Sequence, residues 1–347
     1  MATDRILFSN NDYEIRPARS VDEYRNLWWR YMVELGWNRG YFDIDTYMNP
    51  SHGSGMLLLI HKGQDKRRIC GHVAAVINAN KTGWLSLFVV GEEHRGKGMG
   101  GKLFEAAMED FREHGTEIMG LDGVAEQKAT YERRGFVDSP LGTVRIMTRP
   151  LVEKVPLPTR EGKIPEHFIQ IYDVPLHLLA QHEQKHTGFQ RPALWSNEHL
   201  FERDDIDGVA LASTDNPQTV DDLRGWTIIR RSLHGPRIGP LYAENAEVAQ
   251  AVLERAIELA NVKFVDAFHP DDPYEDMSEA EIAEKAYMTA EVWAGNLEAV
   301  KVFEDAGWTY AGVSYHRMWV DGKATPEFDE GGVAQKGVFA MFDAATG

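Results

Sequence analysis

The stretch Trp84–Ala107, WLSLFVVGEEHRGKGMGGKLFEAA, constrains this chain more than any other. Leu85 to Val90 is a short apolar run rich in β-branched and aromatic residues, the pattern of a buried strand. Gly91 to Gly101 is a loop that carries Arg95, Gly96, Lys97, Gly98, Met99, Gly100 and Gly101. From Lys102 onward Leu103, Phe104, Ala107, Met108 and Phe111 recur at helical spacing. A strand, a glycine loop and a helix aim several backbone N–H groups at one point, at the positive end of a helix dipole. Glycines admit close approach of an anion and conformations closed to other residues. Arg95 and Lys97 add charge. The stretch reads as a pyrophosphate cradle.

Two common cradles do not fit. A P-loop needs Ser or Thr after Gly-Lys, and Gly98 follows Gly96-Lys97 here. A dinucleotide fold needs Gly-x-Gly-x-x-Gly, whereas these glycines stand at 96, 98, 100 and 101. The stretch resembles the acyl-CoA motif of the GNAT N-acetyltransferase family, Arg/Gln-x-x-Gly-x-Gly/Ala after a strand. Arg95, Gly98 and Gly100 fall on its fixed positions, and Phe88, Val89 and Val90 on the strand before it. The resemblance implies acetyl-CoA as co-substrate and an α/β fold whose mixed, mostly antiparallel sheet splays to admit it.

Composition sets the bounds. At 347 residues two domains are the default. A hydrophobic content of 43% supports a sizeable core, so disorder is not expected for most of the chain. No run reaches the ~18 apolar residues of a membrane span, and the first residues, MATDRILFSNNDYE, lack a signal-peptide core. Cys70 stands alone, so no internal disulfide forms, and a cytoplasmic setting is expected. A net charge of −17 disfavours nucleic acid. It favours cationic small molecules only weakly, since solubility explains such a charge as well.

Read in order, Tyr13–Arg16 is a strand. Val21–Leu35 is a helix with Ser20 and Glu23 as its capping pair. Its Trp28, Trp29, Tyr31 and Met32 serve either a core or an acceptor pocket. Residues 55–61, 69–77 and 84–90 form an antiparallel meander. Asp122-Gly123 is expected to turn the chain after a strand over 117–121, before a short helix over 128–134. Residues 151–165 read as a proline-rich linker between a catalytic domain over 1–150 and a second over 166–347. The second half repeats the first in part: Tyr131-Glu132-Arg133-Arg134-Gly135-Phe136 aligns with Phe303-Glu304-Asp305-Ala306-Gly307-Trp308. Its strands are expected at 167–172, 209–212, 225–232, 238–242, 263–268, 310–320 and 337–342. At the cradle position it has no Arg-x-x-Gly-x-Gly, and Pro236 and Pro240 remove donors. Together with Arg237-Ile238-Gly239-Pro240-Leu241 and Arg317-Met318-Trp319, this half resembles the degenerate GNAT-like domain of certain tandem acetyltransferases. There its role would be to shape the acceptor site.

The resemblance also implies roles. A backbone amide over Phe88–Val90 would polarise the thioester carbonyl. Tyr131, in the helix before Gly135-Phe136, would protonate the departing thiolate; the second copy has Phe303 there. Asp122 is either a general base or a turn former. Where the family often places an Asn seven residues before the Tyr, this chain has Val124, while Asn296 persists in the second copy. His177, His182 and His186 share a helix without a further ligand pattern, so a solvated polar face is expected and no metal. Cys70 reads as a small buried residue. The expected activity is acetyl transfer from acetyl-CoA to a primary amine of a small molecule. A protein or peptide N-acetyltransferase is the alternative enzyme, and a CoA-binding sensor the alternative of another class.

Overall fold

The meander expected from alternating apolar residues is present, but the sheet does not stop at the end of the first half. The computed structural model describes residues 5–48, 55–63, 68–152, 167–265, 274 and 276–347. Residues 153–165 of the expected linker, and 266–268 of the expected strand, lie outside them. In the first half the strands are β1 (Phe8–Ser9), β2 (Tyr13–Pro17), β3 (Gly55–His61), β4 (Arg68–Ile77), β5 (Thr82–Val90), β6 (Ile118–Val124) and β7 (Phe136–Pro150). The second half adds β8 (His167–Gln170), β9 (Ile206–Ala212), β10 (Leu223–Arg230), β11 (Arg237–Ala243), β12 (Tyr287–Trp293), β13 (Thr309–Val320) and β14 (Val338–Ala340).

All belong to one sheet in the order β1-β2-β3-β4-β5-β6-β13-β7-β12-β14-β11-β10-β9-β8. Strand β13 of the second half lies between β6 and β7 of the first, with Arg317 opposite Asp122 and Tyr315 opposite Val144. Strand β7 in turn pairs with β12, Thr148 opposite Thr289. Both neighbours of β7 therefore come from the other half.

Helices cover both faces: α1 (Val21–Leu35), α2 (Asp43–Met48), α3 (Met99–Glu113), α4 (Ala125–Glu132), α5 (Leu176–Thr187), α6 (Ala246–Leu259), α7 (Glu279–Lys285) and α8 (Ala299–Asp305). Helix α1 starts where the Ser20 hydroxyl accepts from the Glu23 N–H and stops at Gly36, whose φ of 64° few other residues adopt. Its Tyr24, Trp28, Trp29 and Met32 are fully buried, each contributing about 1.5–3 kcal/mol of burial. These aromatics are core, and the adjoining cavity is bordered instead by the loop that follows them.

Three expectations are corrected. Asp122-Gly123 is no turn, because β6 runs through both to Val124; pairing with β13 holds the strand extended. The fifth strand of the second half is not at 263–265, the described part of the expected 263–268. Residues Val262–Phe264 form a short 3-10 turn and Val265 only a bridge to Ser232. The strand is β12, YMTAEVW, whose alternating threonine, valine and tryptophan suit a sheet better than the short VKFV run. Finally, His182 and His186 are 2% and 6% exposed, not solvated. Their rings meet at a tilt of 41° with centroids 4.5 Å apart, and Trp226 Nε1 donates to His182 Nδ1 at 3.1 Å. Burial lowers their pKa values to about 4 and about 3.

Candidate active site

Strands β5 and β6 pair in parallel only from Thr82 to Trp84 against Ile118 to Gly120. Beyond Trp84 they part, which leaves one side of Leu85–Val90 without a neighbour from β6. On the other side the ladder to β4 breaks: Ser86 faces Ala74 and Val89 faces His72, with Leu87 and Phe88 bulged between them. Leu87 holds a φ of 49°, a left-handed conformation that costs a bulky residue about 1–3 kcal/mol. Such bulges re-aim backbone groups beside active sites. The bulge includes Phe88, at the start of the segment expected to present a free N–H; Val89 and Val90 are back in register with β4.

The cradle follows directly. Gly96 and Gly98 have φ values of 73° and 75°, and a Cβ built on either would meet nothing within 4 Å. The loop surface is therefore open to a ligand, and the glycines are there for their backbone angles. Helix α3 begins with Gly98 as its cap, without a side-chain acceptor and with no acid in its first turn. Its leading N–H groups are thus free for an anion. Arg95 is exposed and its Nε donates to the Val90 carbonyl at 2.8 Å, tying the loop to the end of β5. Exposed Lys97, half-buried Gly100 and Gly101 and the buried Met99 complete the segment. These residues fit the pyrophosphate of an acyl-CoA.

The equivalent place in the second half is filled. Strands β11 and β12 pair only at Arg237 opposite Thr289. Strand β14 occupies their splay, with Ala340 opposite both Leu241 and Val292. Asn296, the asparagine left over in the second copy, donates to the Val338 carbonyl at 3.1 Å and holds that strand in place. Helix α6 is capped by its own Asn245 and carries Glu247 in its first turn. Nothing there invites an anion.

Between the halves lies a cavity of about 470 Å³, in the range that holds small ligands. Leu85–Phe88, Asp122–Val124 and Tyr131 line it from the first half; Arg237, Tyr287, Thr289, Glu291 and Tyr315 line it from the second. The loop after α1 forms a third wall and is pinned from across the molecule. Asn38 Nδ2 donates to Thr289 Oγ1 at 2.7 Å, the His234 N–H donates to Asn38 Oδ1 at 2.9 Å, and Arg237 Nη1 to the Asn38 carbonyl at 2.9 Å. The segment after β14 forms a fourth. Trp84 Nε1 donates to the Ala344 carbonyl at 3.0 Å and Ser86 Oγ to that of Ala345 at 2.7 Å.

Tyr131 borders this cavity with its ring against the Gly123 backbone, where a Cβ would sit 3.0 Å from the tyrosine Cε2. Phe136 meets it edge-on at 6.1 Å. Burial raises the phenol's pKa, so it enters any reaction protonated. Among the described residues none hydrogen-bonds its hydroxyl. Asp122 also reaches the cavity, but both of its oxygens accept from Arg317, at 3.0 and 2.7 Å. Burial raises its pKa, against the opposing pull of Arg317. The Arg317 guanidinium is itself enclosed by Trp84, Phe328 and Trp293, at 4.6, 4.6 and 5.1 Å.

Sequence reasoning missed Glu291, which sits between two arginines. Arg39 Nη1 donates to its Oε1 at 3.1 Å, and Arg237 Nη2 donates to the same oxygen. The Ala344 N–H donates to Oε2. The alternation in YMTAEVW was the available signal for its strand. Arg39, Tyr315 and the Ala344–Ala345 segment were also missed, since nothing local marks them. Cys70 is buried as expected, and that burial pushes its thiol up to about 11. Among the described residues no group of three or more His, Cys, Asp or Glu could hold a metal ion, and no helix is long and apolar enough to cross a membrane.

Comparison with known proteins agrees with this geometry. Residues 21–136 match the acetyltransferase (GNAT) family. A holothin acyltransferase of Pseudoalteromonas sp. (strain SANK 73390) is 25% identical over 255 residues, 73% of this chain and 77% of that one. Among solved structures, one described as an acetyltransferase of Pyrococcus horikoshii superposes with a TM-score of 0.65 at 17% identity, covering 98% of both chains. A tandem GNAT protein from the clavulanic acid biosynthesis pathway gives 0.57 at 12% identity, covering 90% of this chain and all of that one. The structural likenesses establish a tandem GNAT fold.

Proposed function

We propose that this chain, an acyltransferase with a GNAT acetyltransferase domain in its first half, moves an acetyl group from acetyl-CoA to a primary amine of a small molecule. The observation that carries the reading is the junction of three features: an open anion cradle, a bulged strand beside it, and a cavity between the halves that meets both at Leu87–Phe88. Arg95, Gly96, Lys97, Gly98, Met99, Gly100 and Gly101 would hold the pyrophosphate. Bound acetyl-CoA supplies an activated carbonyl carbon.

The chain's own groups then divide the work. The bulge over Leu87 and Phe88 presents backbone N–H to the carbonyl oxygen as negative charge develops there. The cavity holds the amine nitrogen in line with the carbon. As the C–N bond forms and the C–S bond breaks, Tyr131 gives its proton to the sulfur. The nitrogen's surplus proton leaves to water and the phenol is reprotonated, so the products are the amide and the free thiol. Asp122 serves by fixing Arg317, and through it the β6–β13 edge of the cavity.

The walls formed by Asn38 and Ala344 favour a small acceptor over a protein or peptide, whose chain would have to pass them. The test is thermal stability with acetyl-CoA, followed by thiol release across a panel of amines. A stabilising shift with release from a small amine is expected; release from peptides alone would overturn the small-molecule reading, and no shift would overturn the cradle.

A further inference from the structure

We infer that the acceptor, granted the acyltransferase reading above, is an uncharged molecule with a weakly basic amine, of the arylamine or heteroarylamine class. The alternatives are alkylammonium compounds, polyamines and amino acids, and the cavity's charges oppose each of them.

Among the described residues four ionisable acid or guanidinium side chains line the cavity: Arg39, Asp122, Arg237 and Glu291. Both carboxylates are already committed. Glu291 accepts from Arg39 and Arg237 on one oxygen and from the Ala344 N–H on the other. Asp122 gives both oxygens to Arg317. A cationic acceptor would therefore find two guanidiniums and, among the described residues, no unengaged carboxylate. An anionic acceptor would find two guanidiniums whose charge is already shared with Glu291 and Asp343, and would have to approach the Glu291 carboxylate. Behind this layer the balance continues, with Arg230 between Asp43 and Asp343 at 3.3 and 3.2 Å. Buried charges tolerate company only when it completes their pairing; what stays open here is the Nε of Arg39 and the Nε of Arg237, two donors that suit a neutral acceptor atom.

The walls agree. Trp37, Phe88, Tyr131, Tyr287 and Tyr315 place five aromatic rings around the space, and flat partners suit such faces. Aromatic cages also bind cations, but Arg39 and Arg237 on the same walls repel one.

Proton balance gives the third argument. At pH 7 an alkylamine of lysine-like pKa is neutral in roughly one molecule in two thousand. It would have to shed a proton before attack, to a base with a free oxygen, and neither lining carboxylate offers one. An arylamine arrives neutral, attacks directly, and loses its surplus proton only after the C–N bond has formed.

The experiment is thiol release from acetyl-CoA by the full chain with matched acceptors. Aniline and an aminothiazole represent the proposed class; benzylamine, spermidine and alanine represent the others, and 4-aminobenzoate tests an added carboxylate. At pH 7 kcat/KM for aniline should exceed that for benzylamine at least tenfold and exceed that for 4-aminobenzoate. The aniline profile should stay flat from pH 6.5 to 8.5, where an alkylamine's rises about tenfold per pH unit. Preference for benzylamine, spermidine or alanine overturns the inference and leaves the acyltransferase intact. Acetyl-CoA binding without release from aniline or the aminothiazole overturns it equally. Failure to bind acetyl-CoA at all overturns the underlying reading instead.

Discussion

Arg317, on a strand of the second half, grips Asp122, on a strand of the first, through two parallel contacts of 3.0 and 2.7 Å, and both side chains are fully buried. This pair fastens the halves at the edge of the cavity. Replacing only one partner leaves the other charge buried and uncompensated, at a cost of about 3–5 kcal/mol. Arg317→Met should lower the urea midpoint accordingly, and adding Asp122→Asn should recover much of the loss. A single variant as stable as the parent would show that the pair is not shielded from water.

Tyr131 reaches the cavity protonated and unclaimed by any described side chain. Tyr131→Phe keeps the ring against Gly123 and Phe136 but removes the proton. We expect kcat to fall by about 10²–10⁴, with acetyl-CoA affinity within twofold by calorimetry. Equal loss in affinity and turnover would assign the hydroxyl to binding.

The cradle makes a separable claim. Arg95 is exposed, so Arg95→Glu should leave the fold intact while setting a negative charge where an anion is expected. Acetyl-CoA affinity should drop at least a hundredfold, measured by the loss of its stabilising thermal shift.

Acetyl-CoA should also bind once per chain. The second splay holds β14 and its helix is capped by Asn245. Calorimetric titration should give a stoichiometry of one, and a value of two would contradict the plugged second site.

Acid should weaken the fold in a defined window. Burial lowers the pKa values of His72, His182 and His186 to about 3, about 4 and about 3. The folded state thus binds fewer protons than the unfolded one below pH 6.5. The stability these neutral rings preserve is fully present above 6.5 and falls as pH drops toward 4. The three together give about 4 kcal/mol per pH unit. His186→Phe should make that slope shallower by about one third in urea titrations followed from pH 6.5 to 4.5.

What the sequence revealed follows from what is local. The cradle was readable because strand, loop and helix lie within one short stretch, and Gly96 and Gly98 mark backbone angles that few other residues hold. The strand exchange was not readable, since β13 alternates as it would beside any neighbour and nothing in its residues names β6 as its partner. Asp122-Gly123 looked like a turn because turn chemistry is judged from the dipeptide alone; the strand opposite decides otherwise. Glu291 escaped because the nearby apolar residues 263–268 claimed the strand position that belongs to β12. The His182–His186 pair looked solvated because an isolated helix does not show Tyr242 and Trp226 packed over its rings.

The placement of β7 has a consequence for synthesis. When a ribosome has made residue 150, β7 is complete but neither strand that flanks it yet exists. The edge of β6 likewise waits for residues 315–319. The first half therefore cannot close on its own timetable, and the cavity forms only once β13 has been translated. A nascent chain stalled short of β13 holds the strand, loop and helix of the cradle beside an unfinished wall.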